Sequence, residues 1–96
     1  FNTAAQGKHV RGSHNFIPTR SEWTHSNPES KIKQLAGKGQ KVAGKPGSPG
    51  FRERVDCGEV IGYFYEESSG NKTPTTMAII HYGKKGAHIV PAQPKR

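Results

Sequence analysis

The chain has little of what stabilises small secreted proteins or anchors proteins in a membrane. One cysteine, Cys57, among 96 residues cannot form an internal disulfide. Only 30% of the residues are hydrophobic, which limits a single small domain to a modest core. No stretch approaches the roughly 20 apolar residues of a membrane helix, and the N-terminus lacks a signal-peptide pattern. We therefore expect one domain over residues 1–96, without membrane contact and monomeric when free. Its start without methionine suggests a module of something longer.

Acidic residues are also scarce. Seven Asp and Glu stand against 15 Lys and Arg, which gives a net charge of +8 and a pI near 9.9. A small body with this charge attracts polyanions. Nucleic acid is the first candidate partner and an acidic protein the second, while a basic surface with no specific partner remains an alternative.

The first half of the chain is mostly irregular. Residues 1 to 20 show no sustained period and predict a loop with one turn of helix, followed by a short strand at "SEWT". Residues 37 to 50 ("GKGQKVAGKPGSPG") are dominated by glycine, lysine and proline, which predicts a flexible basic loop.

One helix is well marked between these segments, over residues 28 to 36. Ser26 or Asn27 can act as its N-cap, Pro28 suits the first position, and Gly37 suits the end. Its apolar residues share one face, which needs a partner surface.

The second half is rich in Val, Ile, Tyr, Phe and Thr, which favour half-buried strands. It predicts an antiparallel meander with "ESSGNKTP" as a turn. The fold class is α+β, with a short N-terminal helical part packed on a twisted antiparallel sheet of about four strands. The predicted strands are 54 to 57, 59 to 66, 75 to 83 and 87 to 91.

Two histidines flank a basic turn in the most strand-like segment. If "GKKG" closes this hairpin, His81 lies directly opposite His88 and both rings share one face. A three-residue loop would instead send the two rings to opposite faces. A paired contact on a half-exposed surface is the simplest interpretation of two such rings.

A histidine pair also suits the cleavage of RNA. One neutral ring can remove the 2′-hydroxyl proton while a charged ring protonates the departing 5′-oxygen, which leaves a 2′,3′-cyclic phosphate. "KHVRG" adds Lys8 and His9 between glycines, where a phosphate could approach the backbone and Lys8 could stabilise phosphoryl charge. His14 and His25 have less support from their surroundings.

The basic residues from the helix onward are candidates for binding the RNA backbone, although a solvated linker would have the same composition. The predicted RNA-binding set is Lys38, Lys41, Lys45, Arg54, Lys84 and Lys85.

Other chemistries are less well supported. The histidines and the single cysteine lack the close recurring spacing of a zinc site, so no metal or other cofactor is expected. Cys57 lies within a strand-like run and is predicted to fill core instead of acting as a nucleophile. Neither phosphate-binding glycine motif is present.

Three segments, "QGKHVRGSHNF", "ERVDCGEVIGYF" and "TPTTMAIIHYGKKGAHIVPAQP", resemble in that order the bacterial polymorphic toxin type 50 domain. The resemblance implies a C-terminal toxin module with a ribonuclease fold of the barnase–EndoU–RelE-like group. Its motifs correspond to Lys8, His9, Thr75 or Thr76, and the paired motifs around the hairpin, which contain His81, Tyr82 and His88. The chain departs from the expected pattern at Cys57, where an aromatic residue is usual, and at Gly83, where serine is common.

The resemblance implies further properties. The domain would be secreted or delivered from a larger bacterial protein, act in the cytoplasm of a target cell, and be blocked by a cognate acidic immunity protein. In such a ribonuclease Thr76 would bind the phosphate and Tyr82 would orient or stack a base. The rival interpretation is a non-catalytic RNA-binding module with an aromatic platform, and a third is a domain that only docks an acidic partner. The candidate platform residues are Tyr63, Phe64, Tyr65 and Tyr82.

Overall fold

A computed structural model describes residues 1–95 of the chain. In chain order its elements are α1 (Thr3–Gly7), β1 (Glu22–Trp23), α2 (Pro28–Leu35), β2 (Gln40–Ala43), β3 (Arg52–Asp56), β4 (Gly62–Glu66), β5 (Asn71–Thr75), β6 (Met77–Gly83) and β7 (Gly86–Pro91). The predicted α+β class is confirmed. The short strand at "SEWT" and the turn of helix near the start are confirmed as well.

Helix α2 begins where its capping residues predict. The side-chain oxygen of Asn27 accepts a hydrogen bond from the Ser30 backbone N–H at 3.1 Å, and Pro28 occupies the first turn. The helix ends at Leu35, one residue before the predicted end. Ile32 is buried and anchors the apolar side of the helix in the core.

The strands form two antiparallel sheets, with orders β1-β4-β5 and β2-β3-β6-β7. The predicted meander is wrong in its connectivity, because β3 pairs with β6 and not with the strand that follows it. The chain changes sheets around Thr75, whose Oγ1 accepts a hydrogen bond from the Met77 backbone N–H at 3.0 Å. The strand predicted over 75 to 83 therefore starts at Met77, and part of the predicted turn forms β5.

The loop predicted for residues 37 to 50 is wrong over Gln40–Ala43, where β2 pairs with β3 at the sheet edge. A buried carboxylate holds this segment: Glu53 accepts hydrogen bonds from the backbone N–H of Gly37 at 3.0 Å and of Gly39 at 2.9 Å. A Cβ at Gly39 would lie only 2.5 Å from the Arg54 carbonyl oxygen, so this close approach requires glycine. All four residues of β2 are exposed, and no apolar alternation therefore marks the strand in the sequence.

One face of the larger sheet forms the core, and alternation along its strands leaves the intervening side chains on the opposite, outer face. Cys57 is buried as predicted, and burial raises the pKa of its thiol to about 11. The core combines residues from both sheets and α2, namely Trp23, Ile32, Val55, Cys57, Ile61, Ala78, Ile80 and Ile89.

Candidate active site

A row of three side chains crosses the outer face of the larger sheet. The β6–β7 hairpin pairs His81 with His88, which confirms the register predicted from "GKKG". On its other side β6 pairs His81 with Arg52 of β3. Directly paired residues of an antiparallel sheet share a face. Arg52, His81 and His88 therefore lie side by side.

The imidazole rings are stacked face to face. The ring centroids of His81 and His88 are 4.8 Å apart, with an angle of 23° between the planes. His9 extends the stack on the other side of His88, at 6.0 Å and 14°. We call these three rings the histidine stack. His9 lies just after helix α1, and the other two rings come from the two strands of the β6–β7 hairpin.

Helix α1 brings His9 to the sheet by way of Gln6. Strand β7 lies at the edge of its sheet, so the outward backbone groups of Ile89 face no strand among residues 1–95. The buried Gln6 side chain takes that place: its Nε2 donates to the Ile89 carbonyl oxygen at 2.9 Å, and its Oε1 accepts from the Ile89 N–H at 2.8 Å. This two-bond clamp holds the start of the chain against β7.

The hydrogen bond of His9 selects its tautomer. The residue is only 7% exposed, and its Nδ1 lies 2.9 Å from the carbonyl oxygen of Ser21. A carbonyl oxygen can only accept, so Nδ1 carries the proton in the neutral ring. The lone pair then lies on Nε2, where a general base needs it.

Burial keeps the stack uncharged at neutral pH. Desolvation lowers the pKa of His81 to about 4, with repulsion from His88 and Arg52 in support. Desolvation also lowers the pKa of His88 to about 4, and repulsion from His9 and Lys8 contributes. The pKa of His9 is lowered by the same burial. A bound anion would raise these pKa values, because it favours the charged form of each ring.

Three exposed cationic side chains, Lys8, Arg20 and Arg52, lie close enough to act electrostatically on the stack, and we call them the cationic rim. Arg52 acts on the two sheet histidines, Lys8 on His9 and His88, and Arg20 on His9. Guanidinium and ammonium groups beside polar rings form a surface suited to a phosphate group.

Sequence reasoning missed Arg52, Arg20 and Gln6 as site residues. The strand predicted from the sequence begins at Arg54. Extending the same alternation two residues toward the N-terminus would have placed Arg52 on the same face as Arg54. Arg20 and Gln6 carry no local signal of this kind, because their roles depend on segments that are distant in the sequence.

The site residues lie within a recognised sequence family. The family model described as bacterial toxin 50 matches residues 1–91. This chain belongs to the bacterial toxin 50 family. No curated protein matches it. Within residues 1–95 of the toxin domain, no helix is long and apolar enough to cross a membrane.

The toxin domain does not bring every predicted residue to the stack. Thr76 lies five positions before His81, roughly 16 Å away along the strand direction. Its neighbour Thr75 is buried at the change of sheets. Tyr82 points to the opposite face of the sheet, where its hydroxyl donates to the Glu53 carboxylate. These three side chains are therefore not placed to contact a phosphate at the stack.

The predicted RNA-binding cations are spread over the surface. Arg54 shares the histidine face, and its guanidinium donates to the Gln93 carbonyl oxygen at 2.5 Å. Lys84 and Lys85 form the exposed turn of the β6–β7 hairpin. The others lie in or beside the edge strand β2 and are all exposed: Lys38, Lys41 and Lys45.

The remaining histidines and the candidate aromatic platform lie elsewhere. His25 forms a hydrogen bond with the Glu59 carboxylate, and His14 is exposed in the loop after α1. Within the described 95 residues, no three His, Cys, Asp or Glu side chains form a group that could hold a metal ion. Tyr63 and Phe64 occupy successive positions of β4 and therefore face opposite ways, so the four aromatic residues do not form one platform.

Proposed function

We propose that this toxin domain is an endoribonuclease that cleaves RNA through histidine side chains without a metal ion. The observation that carries the proposal is the histidine stack beside the exposed cationic rim on the outer face of the larger sheet. Two imidazoles can exchange protons with the two oxygens that change bonding at phosphorus. The rim can stabilise the negative charge that develops on the phosphoryl oxygens.

His9 is the best candidate for the general base, because its Nδ1–H donates to the Ser21 carbonyl and leaves the Nε2 lone pair as acceptor. Nε2 takes the proton of the ribose 2′-hydroxyl, and the 2′-oxygen forms a bond to the adjacent phosphorus. The bond from phosphorus to the 5′-oxygen breaks, and that oxygen takes a proton from His81 or His88. The products are a 2′,3′-cyclic phosphate and a 5′-hydroxyl.

The acid must be charged when the bond breaks, although both sheet histidines have a pKa of about 4 in the free protein. A phosphodiester bound at the cationic rim supplies a negative charge beside the rings and raises their pKa. The substrate itself therefore promotes protonation of the acid. The pH dependence of kcat/KM reports the pKa values of the free protein. We therefore expect kcat/KM to be greatest on the acidic side of neutrality and to fall as the pH rises.

The net charge of +8 supports a polyanionic substrate, and transfer RNA is a compact candidate. The exposed lysines of β2 and of the last hairpin would contact its backbone away from the cleaved bond. Membership of a toxin family supports use in competition between bacteria, with delivery into a target cell and an acidic immunity protein that covers the cationic rim.

The test is to incubate total and transfer RNA with the protein in excess EDTA and to identify the new ends. Cleavage should persist, with 2′,3′-cyclic phosphate or 3′-phosphate products. His9→Ala should lower the rate about 10²- to 10⁴-fold, the usual contribution of an acid–base group. His81→Ala and His88→Ala are compared in the same assay, and the variant with a loss of rate of this size identifies the general acid. The matched control is His14→Ala, an exposed histidine outside the site, which should cut at the wild-type rate.

Products with a 3′-hydroxyl end, or complete loss of cleavage on chelation, would contradict the histidine mechanism. RNA that is bound but never cut, with all histidine variants binding alike, would favour the non-catalytic RNA-binding module.

A further inference from the structure

Phe64 lies where three adjoining surface depressions meet, beside the histidine stack. One depression, of about 380 Å³, extends from Phe64 to His81. A second, of about 200 Å³, extends from Phe64 to His9. The third, of about 440 Å³, leads from Phe64 toward Gln93 and Pro94. The Phe64 ring therefore lines both the depression that reaches His81 and the depression that reaches His9.

The packing of the two sheets explains this position. A Cβ at Gly62 would lie 2.1 Å from the Glu22 carbonyl oxygen and 3.0 Å from Pro91 Cγ, so only glycine lets β4 approach β1 and the end of β7 this closely. Phe64 lies two residues further along β4 and shares the face of Gly62. The tight approach therefore carries the aromatic ring to the groove next to β7.

Phe64 is not used as an ordinary core residue. It is half-buried, it is absent from the core cluster, and within residues 1–95 its ring stacks on no other aromatic ring. Ile79 and Val90, which are only partly buried, line the same groove and give it an apolar floor. The Ser21 hydroxyl can still donate, and the exposed Gln93 side chain adds an amide to the lining, whereas the carbonyl oxygens of both residues already accept from His9 and Arg54.

We infer that the groove at Phe64, here called the Phe64 groove, binds a nucleobase of the RNA whose phosphate lies at the histidine stack. The inference rests on the proposed ribonuclease function and adds the part of the substrate that the histidines do not contact. A base needs a flat apolar surface for its faces and polar groups for its edge. The Phe64 groove offers both, and His81 in its lining places the base next to the scissile phosphate.

The test measures binding of nucleoside 3′-monophosphates and of inorganic phosphate to the intact domain by NMR titration. Wild-type protein should bind at least one nucleotide at least about 10-fold more tightly than inorganic phosphate, since stacking of a base on an aromatic ring is worth about 1–3 kcal/mol. The ring protons of Phe64 should shift with the nucleotide and not with inorganic phosphate.

Phe64→Leu should weaken nucleotide binding about 10-fold while leaving inorganic phosphate binding unchanged, and Phe64→Trp should retain the nucleotide affinity. The matched control is Tyr63→Leu, which removes an exposed aromatic residue from the opposite face of the same strand and should change neither. In cleavage assays, Phe64→Leu should raise KM more than it lowers kcat and should weaken any preference for one base.

Equal affinity of the wild-type protein for nucleotides and inorganic phosphate, or unmoved Phe64 resonances, would overturn the inference. Cleavage by the wild-type protein together with unchanged nucleotide binding by Phe64→Leu would refute the Phe64 groove alone. Phe64-dependent nucleotide binding without any RNA cleavage would refute the proposed ribonuclease function and support the base site.

Discussion

Mild acid should destabilise this toxin domain through the histidine stack, before most of its carboxylates are protonated. His81 and His88 have pKa values of about 4 in the folded chain, compared with the ordinary value of 6.5. The unfolded chain therefore binds more protons than the folded chain between about pH 4 and pH 6.5. The full stability is present above about pH 6.5, and it is lost progressively as the pH falls toward 4.

The size of the loss follows from the two pKa values. Lowering the pH from about 7.5 to about 5 should cost roughly 2 kcal/mol per ring by proton linkage. Both rings are partly accessible, and solvent screening should reduce the cost to about 1 kcal/mol each. The pair then accounts for about 2 kcal/mol, a substantial share of the roughly 5–15 kcal/mol expected for a domain of this size. His9 adds to the loss in the same direction.

The assay is urea unfolding at the two pH values, followed by the fluorescence of the buried Trp23. The double variant His81→Asn, His88→Asn should show a pH dependence that is shallower than that of the wild type by about 2 kcal/mol. If the double variant loses as much stability on acidification as the wild type, the two rings are not held uncharged by the fold. That result would also mean that the proposed mechanism does not need the bound substrate to raise the pKa of the general acid.

Three further perturbations test the parts of the fold that support the site. Gln6→Leu should cost about 2–4 kcal/mol and speed hydrogen exchange at the Ile89 amide, because both backbone groups of Ile89 lose their partner; unchanged exchange would show that the clamp is not formed. Tyr82→Phe should cost about 1–2 kcal/mol in urea unfolding, since it removes a hydrogen bond to the buried Glu53 carboxylate; wild-type stability would mean that this hydrogen bond contributes nothing. A third variant replaces the exposed lysines near β2, Lys38, Lys41 and Lys45, by glutamine. It should reduce the log–log salt slope of RNA binding by roughly 0.7 for each phosphate that the variant no longer neutralises. An unchanged slope would mean that the RNA binds elsewhere.

Local chemistry explains which parts of the fold could be predicted. Asn27 and Pro28 mark the start of α2, because capping depends on neighbouring residues alone. The four-residue "GKKG" segment defines the hairpin register, and the pairing of His81 with His88 follows from it. Strand β2 escaped prediction because its side chains are all exposed and a buried carboxylate from β3 holds its start.

Tyr82 likewise has one feature that local sequence predicts, the face on which it lies, and one that it does not, the residue that it contacts. Alternation along β6 puts Tyr82 and His81 on opposite faces, so a role for both rings at one phosphate conflicts with the strand itself. The partner that Tyr82 finds instead, Glu53, lies on another strand and has no mark in the local pattern.

The sequence by itself determined the family, the α+β class, the positive field and the paired histidines of the last hairpin, since each depends on composition or on short-range pattern. Only the tertiary structure decided which residues join that pair. Pairing of β3 with β6 places Arg52 beside His81, and the Gln6 clamp on the free edge of β7 places His9 beside His88. These contacts join segments far apart in the chain, and the burial that keeps the rings uncharged is a property of the assembled surface, which no local sequence pattern encodes.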